Sequence, residues 1–249
     1  MQKNEHNYLV FDIGNSMIKF HYINSQFQVL LNLNWLCNSN ESIDLENILA
    51  LCMPSFQDQI IIASSNNEML HQEQLVSQLQ KLGFCNIAIL DHTYGTNLKL
   101  ANNIQHNEVG IDILACLQYC VDNKIKDAYV FMFGTALVAL KIEDNTLLGA
   151  SIAPGAFLSY VHIQEKVAQL SLPYIGSEQL GTNTQEALNS GLYNLLNGFI
   201  LSHIEKETNL EKYQLLLTGG DGAYLKTKYN YLPNMLALGY LGLFLSGKK

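Results

Sequence analysis

Phe11-Asp12-Ile13-Gly14-Asn15-Ser16-Met17-Ile18-Lys19-Phe20 and, 120 residues later, Phe131-Met132-Phe133-Gly134-Thr135-Ala136-Leu137-Val138-Ala139-Leu140 are the two stretches whose comparison decides the fold. Each reads as a short apolar strand, a glycine turn and a second apolar strand. An ungapped comparison puts Phe11 on Phe131, Gly14 on Gly134, Ile18 on Val138, Phe20 on Leu140 and Tyr22 on Ile142. The next turn also coincides, Asn24 with Asp144 and Ser25 with Asn145, leading into third strands at Phe27–Leu33 and Thr146–Ile152. Strand, glycine turn, strand and hairpin in one order predict an internal duplication of α/β lobes. The expected lobes are residues 1–121 and 122–249, with the join near Val121–Lys126 and the last helix free to pack back on the first lobe. One large mixed sheet is the alternative that the pattern leaves open.

Working outward, the spacing predicts helices around Ile43–Leu51 and Glu68–Leu82, and strands at Gln59–Ala63 and Asn86–Leu90. Beyond the second meander it predicts helices at Ala156–Leu170 and Thr184–Glu207, and a strand Tyr213–Leu217 running into Thr218-Gly219-Gly220-Asp221-Gly222. Pro233 suits the first turn of a last helix, Asn234–Leu245.

Hydrophobic residues are 48% of the 249 and charged residues 14%, which supplies a large core and excludes a disordered chain. A net charge of −8, with every basic residue a lysine, argues against binding the phosphate backbone of nucleic acids. Five cysteines (Cys37, Cys52, Cys85, Cys116, Cys120) without paired spacing make neither a disulfide framework nor a zinc site. Met1–Asn7 is polar, and Leu236–Leu245 is too short to span a bilayer, so a cytoplasmic protein without membrane contact is expected.

Three glycine turns, each ending a predicted strand, carry the candidate chemistry. At the first, Gly14 admits backbone amides to a phosphate, Asn15 and Ser16 add donors, and Lys19 neutralises charge. Asp12 at the strand end offers magnesium a hard oxygen ligand. Taken singly, a tight hairpin turn explains Gly14-Asn15 as well. Gly134-Thr135 repeats the device, and two such turns facing one cleft would clamp a polyphosphate. Gly219-Gly220 leaves bare backbone for a base or ribose.

The ordered set Asp12-Ile13-Gly14-Asn15-Ser16-Met17-Ile18-Lys19, Glu108-Val109-Gly110-Ile111-Asp112, Gly134-Thr135-Ala136, Ala153-Pro154-Gly155, Gly181-Thr182-Asn183-Thr184, Ser190-Gly191 and Thr218-Gly219-Gly220 resembles the type III pantothenate kinases over nearly the whole chain. The resemblance implies duplicated actin/hexokinase-like (RNase H-like) lobes, each a mixed sheet with helices, and a cleft between them. It implies ATP with magnesium as phosphoryl donor, pantothenate as acceptor and a homodimer. It makes Asp112 the base, places Thr135 on ATP and Thr184 on pantothenate, and assigns Gly110, Ile111 and Ile113 to the acceptor stretch. Asn103 stands where the family's acceptor site usually has tyrosine.

Three further positions depart from the family pattern. Ile113 replaces an arginine, and no arginine exists elsewhere in the chain. Met132 replaces the aspartate that helps bind a monovalent cation, so that cation site is expected to be lost. Leu137 replaces a threonine. The leading expectation is ATP-dependent phosphorylation of pantothenate to 4'-phosphopantothenate, the first step towards coenzyme A. A catalytically weakened homologue that binds nucleotide or a pantothenate-like ligand and acts through a partner, and a kinase or phosphatase for another small polyol-like metabolite, stay open beside it.

Overall fold

The structure, a computed structural model, describes residues 6–36, 45–65, 69–167, 170–174 and 176–247. Cys37 and the starts of the helices expected from Ile43 and Glu68 lie outside them. The chain opens with β1 (Tyr8–Ile13), β2 (Met17–Ile23), β3 (Val29–Leu36), α1 (Leu45–Cys52), β4 (Gln59–Ser64), α2 (Met69–Lys81) and β5 (Ile87–Leu90). Then come β6 (Lys99–Leu100), α3 (Ile111–Asp122), β7 (Ala128–Phe133), β8 (Ala136–Glu143), β9 (Thr146–Pro154) and α4 (Ala156–Lys166). It closes with α5 (Thr184–Ile204), β10 (Gln214–Thr218), β11 (Asn230–Tyr231) and α6 (Met235–Gly247). The two-residue strands β6 and β11 are too short to show a sequence period.

Two compact units result: Met1–Leu98 with Ile104–Asp122 and Asn234–Lys249, and Lys99–Asn103 with Asn123–Pro233. The units are discontinuous in sequence: Lys99–Asn103 goes with the second and Asn234–Lys249 with the first. The first unit's sheet has the order β3-β2-β1-β4-β5; the second repeats it as β9-β8-β7-β10-β11, with β6 added beside β9. In both, the first three strands are antiparallel and the first and fourth are parallel. This repeated topology is a duplicated mixed α/β fold, and the one-sheet alternative falls.

The ungapped comparison needs correction beyond the first strand. Ile13 pairs with Ile18 across a turn of residues 14–17, whereas Phe133 pairs with Leu137 across residues 134–136. The turn bonds show the same difference: Gly14 N–H donates to Met17 O at 2.9 Å, Gly134 N–H to Ala136 O at 3.1 Å. Losing one turn residue moves the second strand by one, so Ile18 corresponds to Leu137, Phe20 to Ala139 and Tyr22 to Lys141. In a strand that slip exchanges faces. Leu137 and Ala139 accordingly line the second core with Phe131 and Phe133, as Ile18 and Phe20 line the first with Phe11 and Ile13. Both hairpins then bulge at matching points, Tyr22/Ile23 and Lys141/Ile142.

The far turns diverge as well. Asp144 and Asn145 both have positive φ, a two-residue turn that suits a twisted hairpin. Asn24 instead accepts from the N–H groups of Gln26 and Gln28 through its side chain, which lengthens the turn and delays β3 from Phe27 to Val29.

In the first unit, Leu9, Phe11 and Ile13 point towards α1 and α2. Alternation turns Val10 and Asp12 to the opposite face, where α3 and α6 pack on β1 and β4. Helix α6 is apolar nearly all round, as a buried helix must be. Its approach to α3 depends on Gly239, where a Cβ would stand 2.1 Å from Ala115 O. Gly239→Ala is therefore expected to cost about 1–3 kcal/mol, on the order of 3–10 °C in Tm by thermal melting. Gly198→Ala, where a Cβ meets nothing within 4 Å, is the control expected to hold or raise Tm.

Candidate active site

The face of the first unit's sheet towards α3 and α6 gathers the ionisable groups. Asp12, at the end of β1, is 5% exposed. Lys19 is its cross-strand partner on β2, and its Nζ lies 3.3 Å from Asp12 Oδ2. Tyr240 of α6, fully buried, donates its hydroxyl to Asp12 Oδ1 at 3.1 Å. His21, two residues beyond Lys19 and on the same face, is paired through Nδ1 with Asn32 Oδ1 at 2.6 Å. Burial holds His21 below its ordinary pKa, only partly offset by Asn32 and Asp12, so it is a neutral neighbour rather than a second cation.

Asp112 sits in the first turn of α3, where the helix dipole favours a carboxylate. Its Oδ1 accepts the N–H of Ile113 at 2.9 Å and occupies the space beside Gly110, where a Cβ would come within 2.5 Å. Gly110 thus gives the carboxylate its room. Burial raises the Asp112 pKa; the Ile113 N–H opposes that, the Asp12 carboxylate adds to it, and Lys19 opposes it more weakly. A carboxylate with raised proton affinity, within electrostatic reach of another and one lysine, is the electrostatics of a proton acceptor. Ile113 is half-buried in the same turn and offers no polar group.

In the second unit the turns converge at the end of the sheet where β7 and β10 finish. Gly155 donates its N–H to Thr135 O at 2.9 Å, and a Cβ there would stand 2.2 Å from Gly134 O. Gly219 has φ +88, a left-handed conformation, and a Cβ on it would lie 2.2 Å from Phe133 O. Thr218 Oγ1 and Asp221 Oδ2 are buried there without a hydrogen-bond partner, and burial raises the Asp221 carboxyl. Met132 pairs with Val138 and Thr218, so the pair equivalent to Asp12 and Lys19 carries no charge.

The remaining predicted residues lie elsewhere in that unit. Thr184 opens α5, exposed; Asn183 caps the helix by accepting the Glu186 N–H, and Thr182 bonds the Glu186 carboxylate at 2.8 Å. Asn103 follows β6, which pairs with the start of β9, whereas Gly134 and Gly155 lie at its other end. Sequence reasoning missed Tyr240, which lies unremarked within the expected last helix, and the orphaned oxygen of Asp221. Among the described residues no cluster of three or more His, Cys, Asp and Glu could hold a metal ion. Nor is any described helix long and apolar enough to cross a membrane.

A duplicated mixed sheet with glycine turns at its strand ends and a buried aspartate near the end of the first strand defines an actin/hexokinase-like ATPase fold. Solved structures agree on that fold. A protein described as a 2-dehydro-3-deoxygalactonokinase from Sinorhizobium meliloti superposes with TM-score 0.59 at 13% identity, covering 96% of each chain. A protein described as a Baf family transcriptional activator from Campylobacter jejuni gives 0.57 at 22% identity, covering 96% of this chain and 98% of that one. The family model for type III pantothenate kinase matches residues 8–206. The type III pantothenate kinase of Mycoplasma mobile is 32% identical over 244 residues, 93% of this chain and 96% of that one. The chain belongs to the type III pantothenate kinase family.

Proposed function

We propose that the protein transfers the γ-phosphoryl group of ATP to the primary hydroxyl of pantothenate, giving 4'-phosphopantothenate and ADP, the first step towards coenzyme A. The observation that carries the reading is Asp112: in a chain of this family, a carboxylate of raised proton affinity held on the same unit as Asp12 and Lys19. Asp112 takes the hydroxyl proton as the acceptor oxygen attacks phosphorus. Lys19 offsets the charge on the phosphate oxygens, and the rest of the catalysis is positioning. Gly14, Asn15 and Ser16 of the first turn, and Gly134, Thr135, Gly219 and Gly220, contact ATP in this reading. The orphaned oxygens of Thr218 and Asp221 suit a ligand rich in hydroxyls. Gly110, Ile111 and Ile113, around Asp112 in the chain, border the acceptor in this reading.

Asp12 fits magnesium: a single buried carboxylate at a strand end is what this ion uses when phosphates and waters complete its shell. Bound there, magnesium would neutralise charge developing on the phosphoryl oxygens. A monovalent cation does not fit Met132, whose thioether is a poor ligand for hard ions. Turnover is accordingly expected to stay within about twofold between sodium and potassium at fixed ionic strength. Many-fold activation by potassium would show that other oxygens have rebuilt the site.

A homodimer is part of the proposal. Leu195, 37% exposed, lines a groove of about 370 Å³ together with Leu137, Pro154 and Phe199. An apolar surface of this kind is suited to a second copy. A cytoplasmic setting suits the free thiols Cys52, Cys85, Cys116 and Cys120. Purified protein given ATP, magnesium and pantothenate should release ADP, with 4'-phosphopantothenate detected by mass spectrometry. Tight MgATP binding without that product would replace the reading with the weakened homologue.

A further inference from the structure

We propose that Tyr240 is a positioning residue for the magnesium–nucleotide end of the reaction, its hydroxyl fixing the Asp12 carboxylate so that Oδ2 is presented to the ion. The inference rests on the reading of Asp12 as the magnesium ligand. Tyr240 stands on α6, 228 residues along the chain from Asp12, yet its hydroxyl reaches Asp12 Oδ1 at 3.1 Å in a fully buried setting. Around it α6 presents Leu241, Leu243, Phe244, Ala237 and Met235. A phenylalanine would fill such a place without burying a hydroxyl, so the polar atom belongs with the carboxylate it meets.

The two carboxylate oxygens are held unequally. Oδ1 meets a fully buried donor whose 3.1 Å contact is also longer than a full charge-assisted bond, so the difference lies in burial rather than in length. Oδ2 faces only a long contact to Lys19, 3.3 Å against about 2.7–2.9 Å for a full charge-assisted bond, and the lysine side chain is 32% exposed. Oδ2 is therefore the oxygen that can turn to a cation. Gly239, the neighbour of Tyr240, fixes the height of α6 by its contact with Ala115 O. A donor behind a metal ligand sets that ligand's orientation, and its loss typically weakens metal binding about 10–100-fold.

The test is Tyr240→Phe, with ATP affinity measured calorimetrically in excess magnesium and again in EDTA. The magnesium needed for half-saturation should rise about 10–100-fold, while ATP affinity in EDTA and the KM for pantothenate stay at wild-type values. A merely structural role predicts a lower Tm with an unmoved magnesium dependence, and that result overturns the proposal. A wild type whose ATP binding ignores magnesium, or an Asp12→Asn variant that keeps the dependence, overturns the reading of Asp12 and the proposal with it. If Tyr240→Phe does not fold, 3-fluorotyrosine placed at position 240 carries the test by fluorine NMR. Its resonance should move on adding magnesium to the ATP complex; a resonance that does not respond overturns the proposal.

Discussion

Asp112→Asn is expected to lower turnover about a hundred- to ten-thousand-fold while leaving ATP affinity nearly unchanged, because an amide cannot accept the hydroxyl proton. The asparagine is nearly isosteric, and its side-chain oxygen can still accept the Ile113 N–H that now bonds Asp112 Oδ1 at 2.9 Å. The fold around α3 should therefore persist, and single-turnover kinetics with separate ATP titration should isolate the chemical step. Unchanged turnover in this variant would remove Asp112 as the base.

The same residue fixes a pH dependence. Burial and the Asp12 carboxylate raise the Asp112 pKa above its ordinary value, so turnover should fall as pH drops through that raised value. Stability moves the other way through this group. The folded state holds the proton more tightly than the unfolded chain, so protonating Asp112 favours folding, and its contribution weakens as pH rises through the folded pKa. An acid loss of turnover without a matching loss of Tm at the same pH is the expected signature. Bound magnesium and Lys19 both favour the carboxylate and should draw the acid limb downwards.

Ile113→Arg is expected to tighten apparent pantothenate affinity about ten- to a hundred-fold, the equivalent of a charge-assisted contact worth about 1.5–3 kcal/mol. Ile113 is only half-buried in the first turn of α3, which leaves a long side chain an exit from the helix surface. With no arginine in the chain, the native protein has no planar fork for an oxygen-rich acceptor. The check is the KM for pantothenate against that for ATP, which should not move. A worse KM together with a Tm lowered by an overpacked turn would show that the pocket has closed around isoleucine.

Several of these features were legible in the chain itself. Phe11 to Gly14 and Phe131 to Gly134 announced strands ending in turns, because a buried strand needs an unbroken apolar run and its exit needs glycine. Asp12, Lys19 and Asp112 stood out because charges are scarce in such a chain and each adjoins a glycine turn or helix start. Met132 opposite Asp12 exposed the lost charge without any geometry. The register of the second hairpin was not legible. Turn length sets which residues pair, and one residue fewer between Phe133 and Leu137 than between Ile13 and Ile18 exchanges the faces of β8.

The pairing of Tyr240 with Asp12 was decided by tertiary structure alone. Residues 228 positions apart meet because α6 returns to the first unit and a bare Gly239 lets it settle on α3. Periodicity reports only which face of a segment is apolar, and α6 is apolar nearly all round, so nothing local distinguished its tyrosine from core. Composition, strands and turn chemistry are local, and the sequence determined them. Which buried hydroxyl meets which carboxylate depends on contacts distant in the chain, and only the packed fold could decide it.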